Sequence, residues 1–253
     1  MMLVLRIHYD GGIYLFIINC IPALSASGVM DPDRLYEHSA LKFHHPFTFI
    51  VAGPTSCGKS VFVENFIKEG TSILSERFSK ILWCYGEWQE RYFHLQSQFG
   101  VLFHEGLPDL AAFDGKAPVL IIIDDLMHEA DGSIGKLFTK GSHHRNLSVI
   151  FITQNFFHQG KHSRDMSLNA HYLCIFKNPR DRSQIAHLAR QLFPEDSKFL
   201  AQAYADATIV PHGYILLDLK QQTPDTLRVR SRIFPHEQED GGPIVYIPTK
   251  RRL

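Results

Sequence analysis

Cysteine is scarce in this chain: four among 253 residues, Cys20, Cys57, Cys84 and Cys174, all far apart. No CxxC pair and no metal-ligand spacing can be drawn among them. That argues against a zinc site or a disulfide-stapled fold, and for free thiols in a reducing compartment. An excess of charge of one sign is lacking too. Lys+Arg and Asp+Glu stand at 26 each, so no global positive field advertises nucleic-acid binding, and any DNA contact must be local. Long apolar runs are also missing. The run at 13–24 has the length of the apolar segment of a secretion leader and follows Arg6, but Asn19 and Pro22 interrupt it. It is too short to span a bilayer comfortably, and Asp10 sits poorly in a positively charged leader. The reading is an intracellular protein, in nucleus or cytoplasm, neither secreted nor tied to a membrane. Met30 opens a plausible second start, which makes residues 1–29 an extension outside the fold. Internal repeats and low-complexity segments are absent as well.

What is present points to one domain. A length of 253 residues is ample for a single α/β domain with a full core, and 45% apolar with 21% charged residues is ordinary for a globular chain. Residues 47–52 are apolar strand formers. They run into Gly53, Pro54, Thr55, Ser56, Cys57, Gly58, Lys59 and Ser60, which fit the phosphate-loop pattern G-x-x-x-x-G-K-[ST]. Beyond the loop, Phe62, Val63, Phe66 and Ile67 recur at helical spacing until Gly70. The chemistry follows from that context. Glycines let the backbone curl so that successive N–H groups face an anion, and the helix adds its positive end. Lys59 is placed to reach β- and γ-phosphates, and the Ser60 hydroxyl to ligate Mg²⁺.

A second signal lies at 119–123, five consecutive apolar residues ending in Asp124 and Asp125. Such a run suggests a central parallel strand buried on both faces. Two carboxylates at its end are costly unless something there needs negative charge, as an Mg²⁺–ATP complex does. Asp124 would hold Mg²⁺, and Asp125 would orient the attacking water or accept its proton. A third buried strand, 147–153, ends in Gln154, a candidate sensor of the γ-phosphate.

Other strands are expected at 80–85, 101–104, 172–176, 213–219 and 227–234, with helices around 185–192 and 199–204. The aromatic residues Trp83, Tyr85, Trp88, Tyr92 and Phe93 are read as core packing rather than a base-stacking surface. Arg228, Arg230 and Arg232 alternate, which suggests one charged face of a solvated edge strand. The pairs His143–His144 and His158–His162 lack a completing Cys or carboxylate and are read as polar loop residues. Lys136, Lys140, Lys161 and Arg164 lie in basic stretches that could touch phosphates without reading sequence.

Together the stretches 53–60 (GPTSCGKS), 121–127 (IIIDDLM), 143–155 (HHRNLSVIFITQN) and 168–181 (LNAHYLCIFKNPRD) closely resemble genome-packaging ATPases. These are the poxvirus-type enzymes and their relatives in Maverick/Polinton elements and adintovirus-like viruses, within the FtsK–HerA class. The resemblance covers about 47–234. It implies a P-loop NTPase of the RecA/ASCE-like kind, with a mainly parallel central sheet between helices in three α/β/α layers. It further implies ATP and Mg²⁺ as ligands, a homo-oligomeric ring, double-stranded DNA as the moving partner and a capsid or portal protein as the receiver, at virion assembly sites. A ring motor needs a cation from the neighbouring subunit. Arg145 occupies the place that the resemblance suggests for it, with Arg180 as second candidate.

This chain departs from many class members in carrying Asp125 where they have Glu. The expected organisation is an extension over 1–29, an ATPase domain over 30–235 and a flexible tail over 236–253. The leading reading is an ATP-hydrolysing motor that translocates duplex DNA. The rivals are a helicase-like DNA-processing ATPase, a nucleotide-binding switch or assembly protein with little turnover, and a relic motor without a capsid.

Overall fold

A computed structural model describes residues 2–6, 41–126, 134, 135, 137, 138, 145–155, 163–181, 183–238 and 243–248. Strands β1 (Met2–Arg6), β2 (Thr48–Ala52), β3 (Lys80–Tyr85), β4 (Leu102–Glu105), β5 (Val119–Asp124), β6 (Leu147–Thr153), β7 (Tyr172–Phe176), β8 (Tyr214–Asp218), β9 (Val229–Ser231) and β10 (Ile244–Pro248) form one sheet. Its order is β1-β10-β9-β8-β7-β2-β6-β5-β3-β4. From β7 to β4 every pairing is parallel. From β7 through β8, β9 and β10 to β1 every pairing is antiparallel.

Helices cover both faces, giving the three-layer α/β fold expected of a P-loop NTPase. On one face lie α1 (Lys59–Lys68), the single turn α2 (Gly70–Ile73) and α3 (Arg91–Phe99); on the other lie α5 (Ser183–Leu192) and α6 (Ser197–Ala207). The short α4 (Ser163–Leu168) precedes β7. Period-two alternation explains the uninterrupted apolar strands. Leu120 and Ile122 of β5 join the core under α1 and α3, whereas Ile121 and Ile123 join the core under α5 and α6. The anchors of α1 are Phe62, Val63, Phe66 and Ile67, the four residues whose spacing marks the helix in the sequence. Phe66 packs edge-on against Phe43 with ring centroids 4.8 Å apart, a geometry that aromatic quadrupoles favour.

Three expectations are corrected. Residues 1–29 do not all lie outside the fold as expected: Met2–Arg6 pairs with β10 in register Met2↔Pro248 to Arg6↔Ile244. Residues 236–253 are not a flexible tail throughout as expected: Ile244–Pro248 is a strand with Val245 and Tyr246 buried. The continuous apolar run Ile244–Pro248 is the signal, obscured by the polar residues 236–240 ahead of it. Finally, β9 is no solvated edge. It lies between β8 and β10, and Arg230 is 1% exposed, paired with Asp218 at 2.6 Å. Arg228 instead bonds Asp225, and Arg232 has a positive φ of 50°, which ends the strand alternation.

The aromatic group divides. Trp83 and Tyr92 are buried, while Trp88 and Phe93 are exposed beside them. Lys136, Lys140, His143, His144, His158, Lys161, His162 and the side chain of Arg164 lie outside the described residues, as do residues 7–40, including Met30. Among the described residues no helix is long and apolar enough to cross a membrane.

Candidate active site

In an open parallel sheet ligands gather beyond the carboxyl ends of the strands. Here β6 is inserted between β2 and β5, so the ends of the phosphate-loop strand, the Gln154 strand and the Asp124 strand stand side by side. Thr55, Ser56, Lys59, Ser60, Gly86, Glu87, Gln89, Tyr92, Asp124, Asp125, Thr153 and Gln154 line a cavity of about 480 Å³ there.

Two glycines are required by the loop. A Cβ on Gly53 would stand 2.7 Å from both Cys57 Sγ and Phe176 Cβ, and Gly58 has φ 107°, a left-handed backbone that glycine adopts without strain. Gly58 caps α1 with no side-chain hydrogen bond, and the first turn of the helix holds no acid. The leading N–H groups and the positive helix end are therefore left for an anion. Lys59 Nζ donates to the carbonyls of Gly53 at 2.7 Å and Pro54 at 2.9 Å, which holds the ammonium over the loop. Cys57 is half-buried, and burial pushes its thiol pKa up despite the nearby Lys59 charge. That makes it a less reactive thiol than its place in the loop suggests.

The two aspartates have different surroundings. Asp124 is 8% exposed and accepts a hydrogen bond from Tyr92 Oη at 3.3 Å. Burial raises its pKa and the charge of Asp125 adds to this; the Tyr92 hydroxyl, the Trp83 indole and Lys59 act in the opposite sense. Asp125 is exposed, with φ 55°, and its Oδ2 accepts from Gln154 Nε2 at 3.2 Å. Gln154 is thus joined to the second carboxylate, while the adjoining Asn155 accepts from Gln184 Nε2 at 2.8 Å. The same amide donates to Asp181 at 2.9 Å, and Asp181 also accepts from Ser183 at the start of α5.

The arginines are elsewhere. Arg145 lies at the opposite end of β6, donating to the carbonyl of Phe113 at 3.3 Å. Arg180 is exposed in the loop after β7, on the same edge as the cavity but not among the residues lining it. Sequence reasoning missed Glu87 and Gln89 and assigned Tyr92 to packing alone. The parallel register Tyr85↔Asp124 is what brings the turn after β3 to the cavity, and no local motif announces it.

As a Mg²⁺ site the residues fit in part. Asp124 and Ser60 supply hard oxygen donors to one cavity, and no group of three or more His, Cys, Asp or Glu among the described residues could hold a metal unaided. Mg²⁺ suits such a pair, because it commonly keeps several waters and takes further oxygens from substrate phosphates. On the far side of the loop, Ser56, Gly58, Lys59 and Ser60 also line a second cavity of about 580 Å³ with Asn65, Arg91, His212 and Glu237.

A buried carboxylate with a raised pKa destabilises the ligand-free fold when ionised. Its contribution is best below the ordinary aspartate value of 3.8 and is lost as pH rises through the raised folded value. Asp124→Asn is therefore expected to raise the melting temperature at neutral pH, with the gain shrinking as pH falls toward that range. Melting curves of both proteins at several pH values check this; an Asn variant less stable at neutral pH would contradict it.

No family model matches the chain, and no curated protein does. Among solved structures, it is similar to the genome packaging NTPase B204 from Sulfolobus turreted icosahedral virus 2, in complex with ATP-gammaS. That match has 12% identity and a TM-score of 0.48, covering 70% of this chain and 94% of that one. The cytoplasmic domain of the Thermomonospora curvata Type VII secretion ATPase EccC matches at 10% identity and TM-score 0.40, covering 81% of this chain and 24% of that one. EccC ATPases 2 and 3, in complex with a signal sequence peptide, match at 11% identity and TM-score 0.38, covering 95% and 46%.

Proposed function

We propose that this protein is an Mg²⁺-dependent ATPase that drives movement of double-stranded DNA, packaging the genome of a virus or virus-like element into a capsid. The observation that carries the ATPase part is the convergence of Lys59, Ser60, Asp124, Asp125 and Gln154 on one cavity at the ends of three adjacent parallel strands. The packaging part rests on the resemblance of the motifs. Backbone N–H groups of the loop and Lys59 would bind the β- and γ-phosphates; Ser60 and Asp124 would hold Mg²⁺, which supplies neutralisation of the phosphate charge. Asp125, held by the Gln154 amide, would orient the attacking water, and Gln154 would register the γ-phosphate through that bond. The second cavity, sharing Ser56, Lys59 and Ser60, offers room for the nucleoside.

Arg145 is the proposed finger, acting on a neighbouring subunit. The seven residues of β6 separate it from its own cavity by about 20 Å, so it cannot serve that cavity. A finger is worth about 10³–10⁵ in rate. Arg145→Ala should spare nucleotide binding and lower hydrolysis in the assembled ring. An equal loss in a strictly monomeric preparation would argue against action in trans.

The deciding experiment is ATP turnover with and without long linear duplex DNA, with Asp125→Asn as control. Strong stimulation by duplex, lost in the control, is expected. Nucleotide binding without DNA-stimulated turnover would move the reading to a switch or assembly protein.

A further inference from the structure

The cavity holds a third carboxylate that neither the phosphate-loop motif nor the Asp124–Asp125 pair includes. Glu87 sits two residues beyond the end of β3, and β3 runs parallel to β5 with Tyr85 opposite Asp124. The two strands therefore empty in the same direction, and Glu87 lines the cavity with Lys59, Ser60, Asp125 and Gln154. The other two carboxylates are already engaged. Asp124 is buried and bonded to Tyr92, the state suited to holding a cation; Asp125 has its Oδ2 on the Gln154 amide. Glu87 is exposed and makes no hydrogen bond or ion pair among the described residues. It is also one methylene longer than Asp125.

We infer that Glu87 is the general base of the reaction, taking the proton of the water that Asp125 and Gln154 orient. This assignment rests on the ATPase reading above. The water oxygen forms a bond to the γ-phosphorus as the bond from that phosphorus to the β–γ bridging oxygen breaks. The bridging oxygen leaves with the electron pair as part of ADP, the water proton passes to the Glu87 carboxylate, and Glu87 returns it to phosphate or solvent. A water-activating role divided between two strands also leaves the shorter Asp125 a task within its reach. Aspartate suffices to orient the water when the longer acid takes the proton.

The test compares the full chain with Glu87→Gln and Glu87→Asp. Binding of a fluorescent ATP analogue and steady-state ATP turnover are measured across pH, with Mg²⁺ and duplex DNA present. Glu87→Gln is expected to bind nucleotide within about threefold of the parent and to lose turnover by about 10²–10⁴-fold. Its residual rate should lack the fall at acid pH that protonation of the base imposes on the parent. Glu87→Asp, with its carboxylate withdrawn by one methylene, should recover part of the rate and part of the acid limb. Turnover by Glu87→Gln within twofold of the parent, or a loss of nucleotide affinity equal to the loss of rate, would overturn the assignment while leaving the ATPase reading intact. A parent chain that binds nucleotide and turns over none would overturn both. Because Glu87 is exposed in a turn, both substitutions should leave the melting temperature unchanged, which separates chemistry from folding.

Discussion

Replacing Lys59 with alanine is expected to lower ATP turnover by at least about 10²–10³-fold, the loss typical of removing a preorganised donor to developing charge. The reasoning is local. Lys59 is the first residue of α1 and its ammonium stands over the loop, held by the Gly53 and Pro54 carbonyls. Those neutral acceptors are a resting place from which a charged phosphate would draw it, since a charge-assisted bond is roughly twice as strong as a neutral one. Alanine is a good helix former, so α1 should persist, and unchanged far-ultraviolet circular dichroism would show that the loss is chemical. Arginine should not rescue, because a planar fork on a longer side chain does not reproduce the compact ammonium in so tight a loop. Turnover by Lys59→Ala within a few-fold of the parent would refute the site assignment.

The second large effect is on stability and lies far from the cavity. Asp218 and Arg230 form a buried pair at 2.6 Å, their side chains 1% and 2% exposed. Asp218 Oδ1 further accepts from Thr223 Oγ1 at 2.9 Å and from the Lys220 backbone at 3.2 Å, while Arg230 Nη1 donates to the Leu41 carbonyl at 2.8 Å. The pair thereby ties the segment before β2 to the antiparallel half of the sheet. Arg230→Met removes the cation and strands an ionised carboxylate in the core, which should cost about 3–5 kcal/mol. For a domain of this size that corresponds to a fall of about 10 °C in melting temperature. Adding Asp218→Asn should recover part of the loss, because the amide oxygen still accepts from Thr223 and carries no charge. Urea unfolding of the single and double variants measures both. A cost below about 1 kcal/mol for Arg230→Met would show that Lys220 alone neutralises Asp218.

The parallel half of the fold was legible because its signals are local. A loop pattern with a strand before it and a helix after it, a continuous apolar run ending in two aspartates, and a second such run ending in Gln154 each declare themselves within a dozen residues. Their meeting in one cavity needed only the expected strand order. What escaped depends on pairing. Arg230 reads as a surface arginine until β10 is known to cover its strand, and β10 itself is five residues after a polar stretch. Glu87 is unremarkable in sequence, a glutamate among Glu90 and Arg91, and acquires its place only from the register of β3 against β5. Arg145 was singled out by the resemblance and stands just before β6, but its distance from its own cavity is a fact of strand length and direction.

Strand β2 pairs with β6 on one side and β7 on the other, Ile50 facing both Phe151 and Leu173. Its sequence neighbours are of no use to it. During synthesis the loop-bearing strand emerges early and waits with both hydrogen-bonding edges open while roughly a hundred further residues are made, at about 5–20 residues per second. Such non-local parallel pairings fold slowly and leave an apolar strand available to other chains in the meantime. A nascent chain stopped before β6 would hold the whole phosphate-loop motif and neither of the strands that flank β2, so truncation there should yield aggregation rather than a smaller nucleotide-binding unit.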